Sequence, residues 1–134
     1  VKKITTYIAD DSTVVRERLV EMLAMFDTVE VIGQTANGKD ALGDILNLHP
    51  DVALLDINMP GLNGIDVMMQ VKSVNPGIKV ILFTSYSATD FGEECMKRGA
   101  DFFFQSNNVN ALLELFGTMQ NTLKDSKIQI QEKQ

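Results

Sequence analysis

The chain has 134 residues, with 12 Lys and Arg against 18 Asp and Glu and a formal charge of −6. That length is one domain by the usual prior of roughly 100–200 residues, and the acidic balance argues against a surface built to grip nucleic acid or anionic lipid. Hydrophobic content of 45% and charged content of 22% exclude disorder as the main state.

A single cysteine, Cys95, excludes an internal disulfide and a Cys-rich metal site, and fits a reducing compartment. No apolar run approaches the ~20 residues of a membrane span, and the first residues have neither the apolar stretch nor the cleavage site of a signal peptide. A cytoplasmic location is therefore expected. The first residue is Val rather than Met, as in an excised or processed chain.

In chain order, residues 4–9 read as a strand, and 14–26 as a helix with Val15, Leu19, Met22, Leu23 and Phe26 on one face and Ser12 as N-cap. Residues 29–34 form a second strand. Asn37-Gly38 breaks the chain before a helix over 39–48, which His49-Pro50 ends. Residues 52–55 are a continuous apolar strand, as expected where both faces of a parallel sheet are covered. A turn-rich loop over 59–64 leads to a helix over 65–74, stopped by Asn75-Pro76-Gly77. A fourth strand over 78–83, a helix over 90–98 closed by Gly99, a fifth strand over 101–104 and a last helix from Val109 to about Leu123 complete the pattern. Strands alternating with helices, joined by right-handed crossovers, give an open α/β sheet covered on both sides. The polar segment from Asp125 to Gln134 reads as a frayed helix extension or a disordered tail, with a linker stub as the other reading.

Asp10 and Asp11 follow the first strand and Asp56 follows the third. In open parallel sheets the ligand site lies beyond the carboxyl ends of the strands, where strand order reverses. In the flavodoxin-like order 2-1-3-4-5 the first and third strands are neighbours there, so the three carboxylates converge. Like charges so close raise one another's pKa unless a cation compensates. Mg²⁺ is the economical choice, since it takes oxygen ligands from one or two carboxylates and a substrate phosphate. The bland alternative is three solvated loop acids.

These residues carry a resemblance. Ala9-Asp10-Asp11-Ser12 with Arg16, the run from Leu54 through Asp56 to Gly64, Val80-Ile81-Leu82-Phe83-Thr84-Ser85, and Gly99-Ala100-Asp101 resemble the receiver domains of response regulators in two-component signalling. The resemblance covers roughly residues 3–122, and the segment around Asp56 is its most specific part. It implies a (βα)5 three-layer sandwich with a five-stranded parallel sheet, a receiver domain over 1–123 and a polar tail over 124–134.

It also implies roles. Asp56 would be the phosphoacceptor for a histidine kinase or phosphotransfer protein. Mg²⁺ would be held by Asp10, Asp11, Asp56 and the main-chain carbonyl of Asn58, with Asp10 acting through water. Thr84 would hydrogen-bond a phosphoryl oxygen, and Met59-Pro60 and the glycines would shape the loop beneath. Phe103 falls where the family often has a switching aromatic, although Phe102-Phe103-Phe104 reads equally as a buried strand. The chain would be a phosphoacceptor signalling domain rather than an enzyme, catalysing only its own phosphotransfer and autodephosphorylation, and would act on an output protein or a missing output domain. The fourth helix, fifth strand and fifth helix would offer a homodimer or partner face, to which Phe91 and Leu115 could belong. Residues 29–42 resemble receivers that precede a DNA-binding domain, so a truncated transcription regulator is one reading. These residues themselves would bind neither membrane nor nucleic acid.

One departure stands out. The family carries a Lys at the end of the fifth strand, and Ser106 occupies that position; no Lys or Arg occurs between Arg98 and Lys124. A charge-assisted hydrogen bond contributes roughly 1.5–3 kcal/mol, as much as a typical allosteric coupling of about 1–3 kcal/mol. A weakened or rewired response is expected. Ser106 adds a hydrogen-bond donor but no charge, and Lys97 or Arg98 would have to reach in from the far end of the fifth strand.

Three other functions compete. A phosphorylation-independent pseudo-receiver is favoured by the missing Lys and opposed by the retained Asp10, Asp11, Asp56 and Thr84. An Asp-nucleophile phosphatase would want a second acid where Asn58 stands. A nucleotide-binding domain would want a glycine-rich loop where Asp10-Asp11 stands. His49 reads as a loop residue, Cys95 as packing, and Met22, Met68 and Met96 as core fillers.

Overall fold

Three helices open on side-chain caps placed by the sequence. Ser12 Oγ accepts from the N–H of Val15 at 3.3 Å, Asn37 Oδ1 from that of Asp40 at 2.9 Å, and Asn63 Oδ1 from that of Asp66 at 2.9 Å; each satisfies a donor that a helix start leaves orphaned. The computed structural model describes residues 2–84, 89–105 and 108–119, with the backbone alone at 89–91. The elements are β1 (Ile4–Ala9), α1 (Thr13–Leu23), β2 (Val29–Thr35), α2 (Gly38–Leu48), β3 (Val52–Asp56), α3 (Gly64–Val74), β4 (Lys79–Thr84), α4 (Thr89–Lys97) and β5 (Phe102–Gln105). A fifth helix, α5, is described over 109–119. Residues 1, 85–88, 106, 107 and 120–134 lie outside the described residues, and with them the expected helix end near Leu123 and the expected polar tail over 124–134.

The strands are parallel in the order β2-β1-β3-β4-β5, the expected flavodoxin-like (βα)5 sandwich. Strand side chains alternate between two cores. Tyr7, Ala9, Ala53, Leu55, Val80 and Leu82 face α2, α3 and α4. Ile4, Ile8, Val52, Leu54, Ile81 and Phe83 face α1 and α5. On β5, Phe103 takes the first side while Phe102 and Phe104 take the second.

Two readings of the sequence change. α1 ends at Leu23 with Ala24 as cap, short of Phe26. The amides of Met25 and Phe26 reach back three residues, to Met22 and Leu23, so the last turn tightens and stops the helix; Phe26 still packs, its ring centroid 6.4 Å from that of Phe116. Met96 is exposed rather than a core filler, because Gly92 and Cys95 take the inward side of α4. His49 is an exposed cap in the left-handed region (φ 51°), and Cys95 is fully buried, as expected of each.

Candidate functional site

The register of the sheet assembles the site. Ala9 is paired with Leu55, so the next residues outward, Asp10 and Asp56, meet at the strand ends. Asp56 is itself paired with Phe83 on β4, and Thr84 with Gln105 on β5. Asp56, Asp10 and Asp11 each offer a carboxylate oxygen within 4.8 Å of the others. Asp10 and Asp56 are buried, whereas Asp11 is exposed.

Local hydrogen bonds aim the acids. Asp10 Oδ1 accepts from the N–H of Ser12 at 2.7 Å, and Asp56 Oδ1 accepts from the N–H of Asn58 at 3.2 Å. The Arg16 guanidinium donates to the Asp10 carbonyl at 2.6 Å, to Gln34 Oε1 at 3.2 Å and to Thr13 Oγ1 at 3.2 Å, pinning the acidic loop to α1 and β2. Arg16 belongs to the expected motif, but this tie to the main chain is not readable from spacing.

The loop from β3 to α3 passes under the site at two close approaches. A Cβ on Gly64 would lie 2.3 Å from the Asp56 carbonyl oxygen, and one on Gly38 would lie 1.8 Å from that of Leu62. The Gly64 N–H donates to Ile57 at 2.9 Å and that of Gly38 to Pro60 at 3.3 Å. Gly61 adopts φ +81°, which favours glycine. Gly38 begins α2, one residue before the expected start, at a contact no side chain could share.

Burial pushes the Asp56 carboxyl up to about 7, helped by the charges of Asp10 and Asp11 and opposed by the Asn58 N–H. Burial likewise raises Asp10, against the Ser12 N–H and Arg16. Two buried acids and one exposed acid, all oxygen donors converging on one point, fit a hard dication. Arg98 is exposed and paired with Glu94 at 2.8 Å.

The other expected residues fall as follows. Thr84 is buried at the end of β4, one residue past the partner of Asp56. Asn58 is exposed next to the site. Phe103 is half-buried and lies against α4, where a Cβ on Gly92 would come 2.9 Å from its ring. Ser106 follows Gln105 and lies outside the described residues, as do Ser85 and the side chain of Phe91. Leu115 packs in the core on the α1 side.

The chain matches the response regulator receiver domain family over residues 6–115. It belongs to that family. It is 40% identical over 101 residues to a protein-glutamate methylesterase/protein-glutamine glutaminase of Clostridium acetobutylicum, a match spanning 74% of this chain and 29% of that one. It is 33% identical over 97 residues to the response regulator GacA of Pseudomonas viridiflava, spanning 72% and 45%. The chain thus covers less than half the length of these relatives. Among solved structures, the receiver domain of the response regulator NarL from Mycobacterium tuberculosis superimposes with a TM-score of 0.78 at 30% identity, covering 86% of this chain and 97% of that one. The response regulator domain of Thermotoga maritima CheB gives 0.72 at 27% identity, covering 78% of each. Receiver domains are signalling domains that bind Mg²⁺ in an acidic pocket, and this chain has a cluster of three Asp at the carboxyl ends of β1 and β3. No helix among the described residues is long and apolar enough to cross a membrane.

Proposed function

We propose that Asp56 accepts a phosphoryl group from the phosphohistidine of a histidine kinase or phosphotransfer protein, and that the resulting acyl phosphate changes what the domain binds. An Asp56 oxygen attacks phosphorus, the nitrogen–phosphorus bond breaks, and the electron pair leaves with the imidazole. The observation that carries this reading is the convergence of Asp10, Asp11 and Asp56 within 4.8 Å at the carboxyl ends of β1 and β3. Asp10, Asp11, Asp56 and the Asn58 carbonyl would hold Mg²⁺, which when bound supplies positive charge against the phosphoryl oxygens. Thr84 donates its hydroxyl to a phosphoryl oxygen, Ser106 stands where the family Lys would, and Phe103 reports the change toward α4. The receiver occupies 1–123 and the polar tail 124–134. Output passes to a partner protein or a further domain, with a homodimer through α4, β5 and α5 as one form of it, and the location is cytoplasmic.

A second reading, the pseudo-receiver that acts without phosphorylation, rests on the absence of any Lys or Arg between Arg98 and Lys124. Acetyl phosphate with Mg²⁺ decides between them. Intact mass spectrometry should find an adduct of about 80 Da on the wild type and none on Asp56→Ala. A wild type that binds Mg²⁺ yet gains no adduct supports the second reading.

A further inference from the structure

At the opposite end of the strands from the acids, the starts of β1, β3, β4 and β5 and the side of α5 border an open slot of about 470 Å³. Ile4, Val52, Phe102 and Leu115 wall it, and its size lies within the range of small-molecule sites, roughly 300–1,000 Å³. Its rim is cationic. Lys2, Lys3 and Lys79 all border it, on a chain whose formal charge is −6.

Two of these lysines are unpaired among the described residues, and the third is held only at long range. Lys2 and Lys3 are exposed and have no ion-pair partner among the described residues. Lys79 is more than half exposed and reaches only to 3.9 Å from Asp101 Oδ1. The nearby Lys72 differs: its side chain is largely buried and spends its ammonium on Asp101 at 2.7 Å and on the Ile78 carbonyl at 2.7 Å. One acid, Asp51, also borders the slot, with Oδ2 turned to the Thr5 N–H at 2.9 Å and the Thr5 hydroxyl at 3.1 Å.

We propose that this slot binds a monoanionic amphiphile, an apolar chain or ring bearing one carboxylate, with the body against Ile4, Val52, Phe102 and Leu115 and the head among Lys2, Lys3 and Lys79. Apolar walls beneath a ring of flexible ammonium groups suit a ligand with one charged end. Asp51 at the rim disfavours a dianion, and no Arg among the described residues borders the slot to grip a phosphate bidentately. The chain's own residues 120–134 are a poorer occupant on charge, since Lys124, Lys127 and Lys133 outnumber Asp125 and Glu132. The site is separate from the Asp56 pocket and independent of the function assigned there.

Octanoate titrated into the ¹⁵N-labelled full chain tests this by amide shifts. Saturable shifts are expected at Ile4, Val52, Phe102 and Leu115, with a Kd of roughly 0.1–1 mM for a ligand of this size. Octylamine and 1-octanol should bind at least about tenfold more weakly, as should octanoate to Lys3→Glu/Lys79→Glu. Thr118→Trp, on an exposed slot-lining residue, should fill the slot and abolish the shifts; the lysine variant serves should that one fail to fold. Absence of saturation, equal binding of octylamine, or shifts confined to the other faces would overturn the proposal. So would an octanoate response that appears only once residues 120–134 are removed, because the tail would then be the occupant.

Discussion

Asp10 and Asp56 stand side by side, both buried, because the residues just before them, Ala9 and Leu55, are partners across β1 and β3. Packing an acid that close to two others costs stability without a metal. The folded protein holds the Asp56 proton up to about pH 7, against about 3.9 for an unfolded Asp. A folded pKa raised in this way leaves stability intact below the unfolded value and removes it as pH rises through the folded one. In EDTA, the wild type should therefore lose about 2–4 kcal/mol from this group between about pH 4 and pH 8. Asp56→Asn should melt roughly 5–10 °C higher than wild type near pH 8, with the gap closing near pH 4. Thermal melts at the two pH values check this, and a constant gap would contradict it.

Mg²⁺ should reverse the same penalty. A ligand that binds only the folded state raises its stability with concentration, so millimolar Mg²⁺ is expected to raise the wild-type melting temperature near pH 8 by a few degrees. Asp10→Asn removes a buried donor and should lose most of that rise. An unchanged Mg²⁺ response in Asp10→Asn would remove Asp10 from the metal site.

Thr6 presents a different cost. It is fully buried on β1, and its hydroxyl has no hydrogen-bond partner among the described residues. It lies on the same side of the strand as Ile4 and Ile8, against α1 and α5. A buried, unpartnered hydroxyl costs roughly 1–3 kcal/mol, and Val has nearly the same shape. Thr6→Val is expected to stabilise the protein by about 1 kcal/mol in urea unfolding, with unchanged Mg²⁺ binding. Destabilisation would show that the hydroxyl has a partner in solution.

The far end of the sheet is tied by Lys72 and Asp101. The Asp101 carboxylate takes the Lys72 ammonium at 2.7 Å and the Val80 N–H at 2.8 Å, joining α3, β4 and β5. Both side chains are largely buried. Removing one partner of such a pair leaves the other uncompensated. Lys72→Met should cost about 2 kcal/mol in chemical denaturation, while phosphoryl acceptance at the opposite strand ends stays at the wild-type level. A loss of adduct in a variant that remains folded would mean that this tie reaches the site.

The parts of the molecule legible in sequence were those set by local periodicity and by strand ends. The apolar run at 52–55, the cap at Ser12, and the acids following the first and third strands place Asp10, Asp11 and Asp56 together once the strand order 2-1-3-4-5 is taken. Contacts across the fold were not legible. Lys72 and Asp101 are 29 residues apart and meet only after α3, β4 and β5 pack. Gly38 reads as a breaker, yet its hydrogen atom is required by the Leu62 carbonyl of another loop. Met96 has the spacing of a core residue, but a helix with Gly92 and Cys95 on its inward side buries those instead. Ser106 is informative in sequence alone, through the base it lacks.

Tyr7 and Gly33 give the sharpest test of such a contact. They are register partners just past an irregularity in the pairing of β1 and β2, where Thr6 meets Val31 and the next pair skips Ile32. The shift brings Gly33 over the Tyr7 ring, where a Cβ would lie 2.9 Å from Cε1. The ring fills that space and its hydroxyl donates to Asp44 Oδ2 at 2.5 Å, tying β1 to α2; burial and the Asp44 carboxylate push the phenol pKa well up. Gly33→Ala should displace the ring, weaken the Asp44 bond and cost about 1–3 kcal/mol. Tyr7→Leu alone should cost a similar amount through the lost ring and bond. In the double variant the smaller Leu leaves room for the methyl added by Gly33→Ala, so the cost of the double variant should fall short of the sum of the two single costs by about 1 kcal/mol. Strict additivity in urea unfolding would show that the Gly33 hydrogen is not what admits the ring, and that the skipped residue at Ile32 has another origin.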